Sequence, residues 1–185
     1  MSFVVLSTKY RNFVDVSTKG MLRGMEPRWL DEREERAWRG FQRLRIELTA
    51  QLARQLSQEC GLTEADYAVL VTVSEAPGQR IRSRDLGRRL GWERSRLSHQ
   101  IARMEARGTV KRAPCDDDAR GFDVLLTDAG QAAIEAAAPA HAEAVRHCFA
   151  DLLTPGQLDT LGDIADVITN HLAAEHAGPL GCEQD

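Results

Sequence analysis

Arg94, Ser95, Arg96, Ser98, His99 and Arg103 fall within ten consecutive residues. Arginine offers a two-pronged donor that matches the acceptor edge of guanine, and a hydroxyl or an imidazole reaches either a base or a phosphate. Between them stand Leu97, Ile101 and Met104 at spacings of three and four, which predicts a helix with one apolar and one polar face. Such a face suits the reading of a polyanion rather than the making of bonds. Candidates for bond-making are sparse. His147 and Cys148 are neighbours in a predicted helix, where successive side chains point about 100° apart instead of at each other. No glycine-rich phosphate loop, serine elbow or His-Glu-x-x-His occurs, so an enzyme is the weaker reading.

Charge points the same way. The 185 residues carry a net charge of −4, but the signs segregate along the chain. Residues 1–79 are neutral, residues 80–120 hold 12 basic against 6 acidic side chains, and residues 121–185 hold Arg146 alone against 11 acidic ones. A solvated charged surface does not require such segregation. A basic island of net +6 between a neutral and an acidic segment is the footprint of a stretch that meets nucleic acid. With 43% hydrophobic and 28% charged residues the composition is that of a soluble globular protein with one sizeable core. Aromatic residues are few, and Ala, Leu, Arg and Glu fill the periodic stretches, which favours helix over sheet. Apolar runs such as Phe3 to Leu6 are far shorter than the roughly twenty residues a membrane span needs. Cys60, Cys115, Cys148 and Cys182 are widely separated and no secretory signal pattern stands at the start, so reducing cytoplasm is the expected compartment.

The elements that hold the polar helix are legible from caps and breakers. Trp38, Phe41, Leu44, Leu48, Leu52 and Leu56 recur at three and four residues, giving a long helix from about Glu26 that Gly61 stops. Thr63-Glu-Ala-Asp66 reads as a capping box with Asp66 where Glu or Gln is usual, and Pro77-Gly78 closes the helix it starts. Ser83 is expected to cap a short helix carrying Leu86 and Leu90 that ends at Gly91. The helix from Arg94 to Arg107 follows, ended by Gly108. Thr109 to Arg112 and Phe122 to Leu126 then read as a hairpin with a long polar tip. Thr127 caps an alanine-rich helix in which Pro139 invites a kink, and Thr154-Pro-Gly-Gln157 starts the last helix, with an apolar stripe of Leu158, Leu161, Ile164, Val167 or Ile168, and Leu172. Long terminal helices with such stripes imply pairing between subunits. A short helix, a turn and a longer helix over residues 83–107 form a helix-turn-helix, which lays its second helix in the major groove.

The run Leu90-Gly-Trp-Glu-Arg-Ser-Arg-Leu-Ser-His-Gln-Ile-Ala-Arg-Met-Glu-Ala-Arg-Gly108, followed by Asp118-Ala-Arg120 and Leu126-Thr-Asp-Ala-Gly130, resembles the MarR family of bacterial winged helix-turn-helix regulators. The resemblance covers roughly Ala37 to Leu172. It implies a mainly α fold with a small β-hairpin wing and long terminal dimerisation helices. By that reading residues 1–25 are an arm, 26–62 the first dimerisation helix, 63–127 the winged helix-turn-helix, 128–174 the C-terminal dimerisation helices and 175–185 a tail. The partners are double-stranded DNA, with an inverted-repeat operator, and a second copy of the chain. The DNA-contacting set is Ser83, Arg94, Ser95, Arg96, Ser98, His99, Arg103 and the wing-tip Arg120. Asp118 would support the wing, since a carboxylate beside phosphate is repelled whereas an arginine is drawn into a narrow minor groove. Two positions depart from the pattern: Ala119, where many members have arginine, and Glu93, where a serine often caps the reading helix.

The resemblance also implies a cleft for a small aromatic ligand between the dimer helices and the winged unit. Trp38, Tyr67 and Trp92 have the chemistry to line it but fit core positions equally well, so no pocket is assigned. No cofactor or metal is expected. The competing regulatory readings are metal sensing through His141, His147, Cys148, His171, His176 and Cys182, whose spacings are not diagnostic, and redox sensing through Cys115 beside the wing. Asp116, Asp117 and Asp118 weaken the latter by raising the thiol's pKa. The peroxide sensors of the family carry a cysteine near the start of the first helix, and none stands there in this sequence.

Overall fold

The structure is a computed structural model that describes residues 28–115 and 118–177, without the side chains of 118–120 and 176–177. The expected arm at 1–25 and all but the start of the expected tail at 175–185 lie outside the described residues. Two compact units divide the chain, one up to Thr49 and one from Ala50 onward.

The first unit contributes the opening half of α1 (Glu32–Cys60). This helix starts later than its apolar spacing suggests because Asp31 and Glu34 cap each other, Glu34 N donating to Asp31 Oδ1 at 2.8 Å and Asp31 N to Glu34 Oε2 at 2.9 Å. Its apolar residues are open to solvent. Trp38 stacks on Phe41 with ring centroids 6.0 Å apart, and these two with Leu44 and Ile46 are between 46% and 60% exposed.

The second unit carries the core. α2 (Glu64–Ser74) starts at the capping box read from the sequence, with Thr63 and Asp66 bonded reciprocally. It ends before Pro77-Gly78, which instead forms part of a single 3-10 turn leading into a short strand, β1 (Arg80–Arg82). α3 (Ser83–Leu90) begins with Ser83 as its first helical residue. The flanking position is Arg82, which gives no side-chain cap, so the expected Ser83 cap is not formed. Gly91 (φ 63°) and Gly108 (φ 73°) take the left-handed conformation that ends α3 and α4 (Arg94–Ala106), as glycine readily does.

β2 (Val110–Cys115) and β3 (Asp118–Leu126) form the wing hairpin, longer and with a tighter tip than expected, since Cys115 already pairs with Asp118 across it. β1 adds antiparallel to β3, so the hairpin becomes a three-stranded sheet in the order β1-β3-β2. A three-residue strand is too short to show a period, which is why it escaped the sequence reading.

α5 (Asp128–Cys148) is capped by Thr127, whose hydroxyl accepts from Gly130 N at 3.1 Å, and it runs through Pro139 as one helix. α6 (Pro155–Ala177) opens on a Thr154–Gln157 capping box and extends into the expected tail. Val69, Leu70 and Val73 of α2, Leu86 of α3, Leu97, Ile101 and Met104 of α4, Val110 and Val124 of the sheet and Ile134 of α5 make one buried cluster. Along α6 the apolar stripe is bare, with Ile164, Val167, Ile168 and Leu172 each 46% or more exposed. No described helix is long and apolar enough to cross a membrane.

Candidate nucleic-acid interface

α4 is fixed to the core by Leu97, Ile101 and Met104, all buried, and by Gln100. The opposite side carries Arg94, Ser95, Arg96, Ser98, His99 and Arg103, every one of them exposed. At its start Glu93 occupies the cap position without a side-chain hydrogen bond, so the departure noted there leaves the first amides of α4 uncapped by a side chain. Trp92, in the turn, packs partly against the core, and the Arg96 guanidinium lies over its ring at 4.4 Å.

A hollow of about 660 Å³ opens between α3, the start of α4 and the wing. Ser83, Arg94 and Ser98 line it together with Arg84, Arg88 and Phe122. The structure thus brings the expected Ser83 and two of the expected α4 residues to one concave site. It adds two cations of α3, exposed in both cases, that the sequence reading did not assign. The signal was present: Arg84 and Arg88 are four apart within the basic island and so share one helix face. Arg88 holds an exposed partner in Asp85 at 2.8 Å, a surface pair of the kind that yields readily to phosphate.

The wing is tied to this site from β2. Arg112 lies over the Phe122 ring at 4.6 Å, donates to the Ser98 carbonyl at 3.3 Å and meets Glu105 at 3.4 Å, linking the hairpin to α4. On the other side of the sheet Asp123, only 6% exposed, accepts from Cys115 Sγ at 3.0 Å and from Arg80. The thiol's hydrogen bond and the guanidinium beside it hold the Asp123 carboxyl below its ordinary range, against the opposing effect of burial. Cys115 is thereby a hydrogen-bond donor to a carboxylate, an arrangement that favours the thiol over the reactive thiolate. Asp118 and Arg120 belong to β3, and their side chains lie outside the described ones.

The remaining titratable residues do not gather at this site. His141 of α5 packs against Tyr67 of α2 with ring centroids 4.4 Å apart and meets Gln55 Oε1 at 3.4 Å. Burial lowers its pKa and, together with Cys60 and Glu75, raises that of Tyr67. His171 pairs with Glu175 on α6 at 3.4 Å. Among the described residues no three His, Cys, Asp or Glu side chains converge as metal ligands; His176 and Cys182 lie outside those described.

Three comparisons bear on this geometry. The family model described as "MarR family" matches residues 61–121. AbsC, a MarR family transcriptional regulator from Streptomyces coelicolor, is 41% identical, superposes with a TM-score of 0.75 and matches 80% of this chain over 99% of its own. Sco3205, a MarR family regulator from the same organism solved in complex with DNA, is 37% identical with a TM-score of 0.76, over 86% of this chain and 97% of its own. The PcaV transcriptional regulator from S. coelicolor, solved in complex with its natural ligand, is 21% identical with a TM-score of 0.59 over 79% of this chain and 98% of its own, a likeness of fold. No curated protein matches the sequence.

Proposed function

Because the chain belongs to the MarR family of transcriptional regulators, a family without enzymatic activity, we propose that it is a cytoplasmic homodimeric repressor that binds an inverted-repeat operator. The observation that carries this reading is the exposed polar face of α4, with Arg94, Ser95, Arg96, Ser98, His99 and Arg103, standing beside the α3 cations at one concave site. In this reading α4 enters the major groove. Its arginines contact guanine edges or phosphates, and Ser83, Arg84 and Arg88 meet the backbone at the edge of the groove. Arg120 enters the adjacent minor groove and Asp118 steadies the wing. The modules are those expected from the sequence, with residues 26–62 and 128–174 flanking a winged unit at 63–127.

The bare apolar faces of α1 and α6 support pairing with a second copy, since side chains of this size are seldom left in water in such numbers. A twofold then places the two reading helices about one helical turn, roughly 34 Å, apart. A dimer seated on a promoter excludes polymerase, which makes repression the natural outcome. Release by a small aromatic ligand belongs to the same reading, as a ligand that alters the spacing of the two reading helices breaks their register with the groove.

The test is selection from a pool of random duplexes with the purified protein. Recovery of an inverted repeat, bound by a dimer, supports the proposal. Recovery of no duplex at low ionic strength, or binding by single chains, overturns it.

A further inference from the structure

The capping box of α2 contains a carboxylate with more work than a cap requires. Asp66 is only 3% exposed and accepts from Thr63 N at 3.1 Å and from Thr63 Oγ1 at 2.8 Å, which are the local bonds of the box. It also accepts from two side chains of the α4 segment, Gln100 Nε2 at 2.6 Å and the Arg107 guanidinium. Gln100, equally buried, turns its own oxygen to the Arg103 guanidinium. Arg96, Gln100, Arg103 and Arg107 recur at spacings of four, three and four, so they form a single row along one flank of the helix. Each arginine of that row has its own holder: the Trp92 ring for Arg96, Gln100 for Arg103 and Asp66 for Arg107.

We propose that Asp66 is a positioning residue for DNA binding, which acts through Gln100 to aim Arg103 and directly to hold Arg107, so that the start of α2 sets the arginine row of the reading helix. A long guanidinium left to itself samples many rotamers, and fixing it before the encounter removes that entropy cost from binding. The carboxylate is anchored at the other end by the fold itself, through the two bonds from Thr63. The inference rests on the DNA-binding reading, and its test is arranged so that the two can fail separately.

The probe is a duplex recovered by the wild-type dimer from a random pool, with affinity followed by fluorescence anisotropy. Gln100→Met keeps the shape of the buried side chain and removes both of its bonds, leaving the Thr63–Asp66 box whole. It is compared with Arg103→Ala and with the double variant, and melting temperature and dimer mass are measured for all three. Gln100→Met and Arg103→Ala are each expected to weaken binding by about tenfold, and the double variant to be no weaker than the worse of the two. Asp66→Asn, which keeps the shape of the cap, is expected to weaken binding more than Gln100→Met because Arg107 is released as well, and it serves as the test if Gln100→Met fails to fold. Losses that multiply in the double variant show that Gln100 acts other than through Arg103 and overturn the inference. So does wild-type affinity in a folded Gln100→Met or Asp66→Asn dimer. If the wild-type protein takes up no duplex, the DNA-binding reading falls and this inference with it.

Discussion

At the scale of single residues the two ends of the binding surface answer to different physics. Arg120 is argued to reach the minor groove through charge alone, so Arg120→Ala should lower duplex affinity by about tenfold and make the salt dependence shallower by roughly one unit, with dimer mass unchanged; equal affinity by anisotropy would remove it from the interface. His141 makes a prediction about stability. Burial holds its pKa below the ordinary 6.5, so the unfolded chain takes up a proton first as the solution is acidified. Its contribution is fully present above 6.5 and is lost as pH falls below that value, where an imidazolium would sit against Tyr67 with Gln55 and, one hydrogen bond further, Glu59 as the polar groups in reach. The melting temperature should therefore drop between pH 7 and pH 5 by more in the wild type than in His141→Gln, as differential scanning calorimetry can record. A drop of the same size in both would mean that other groups govern the acid limb.

Among elements, the junction of α5 with the wing is the most tightly specified. A Cβ built on Gly130 would stand 1.9 Å from the Thr109 carbonyl oxygen, a backbone atom that cannot give way. Gly130→Ala is accordingly expected to cost about 3 kcal/mol or more and, for a chain of this size, to lower the melting temperature by about 6–12 °C. A variant that melts with the wild type would show that the helix can slide on the strand. This contact also gives a physical reason for the glycine in Leu126-Thr-Asp-Ala-Gly130, which the sequence offers only as a motif. Most of the rest of the element order could be read in advance, because its signals are local: Thr63, Thr127 and Thr154 as caps, Gly91 and Gly108 as stops, and Leu97, Ile101 and Met104 as a period. What escaped was non-local. β1 exists only because Ile81 pairs with Val124, Ser83 lost its cap role to Arg82, and Asp66 looked like an irregular capping box until Gln100 and Arg107, remote in sequence, were found on the same carboxylate. The α3 cations of the binding site were in plain view but had no assigned direction until the hollow beside α4 gave them one.

For the whole molecule the argument turns on faces that the single chain leaves wet. Ile164 and Ile168, one turn apart on α6, are 51% and 54% exposed. Replacing both by glutamate should convert the dimer to single chains by light scattering and abolish operator binding, while the buried cluster of the winged unit keeps its helical circular dichroism. A dimer that persists would place the contact elsewhere. If each subunit neutralises about four phosphates, the logarithmic salt dependence of duplex affinity should have a slope near −7, and a slope near zero would rule out this mode of contact. The bare hydrophobic stripes also bear on how the gene that encodes the chain is dosed. Below the concentration at which chains pair, the active species grows with the square of the amount synthesised, so halving expression would cut promoter occupancy about fourfold rather than twofold. A regulator built this way responds to its own abundance with a threshold, and that steepness comes from greasy helices far along the chain from the arginines that read the operator.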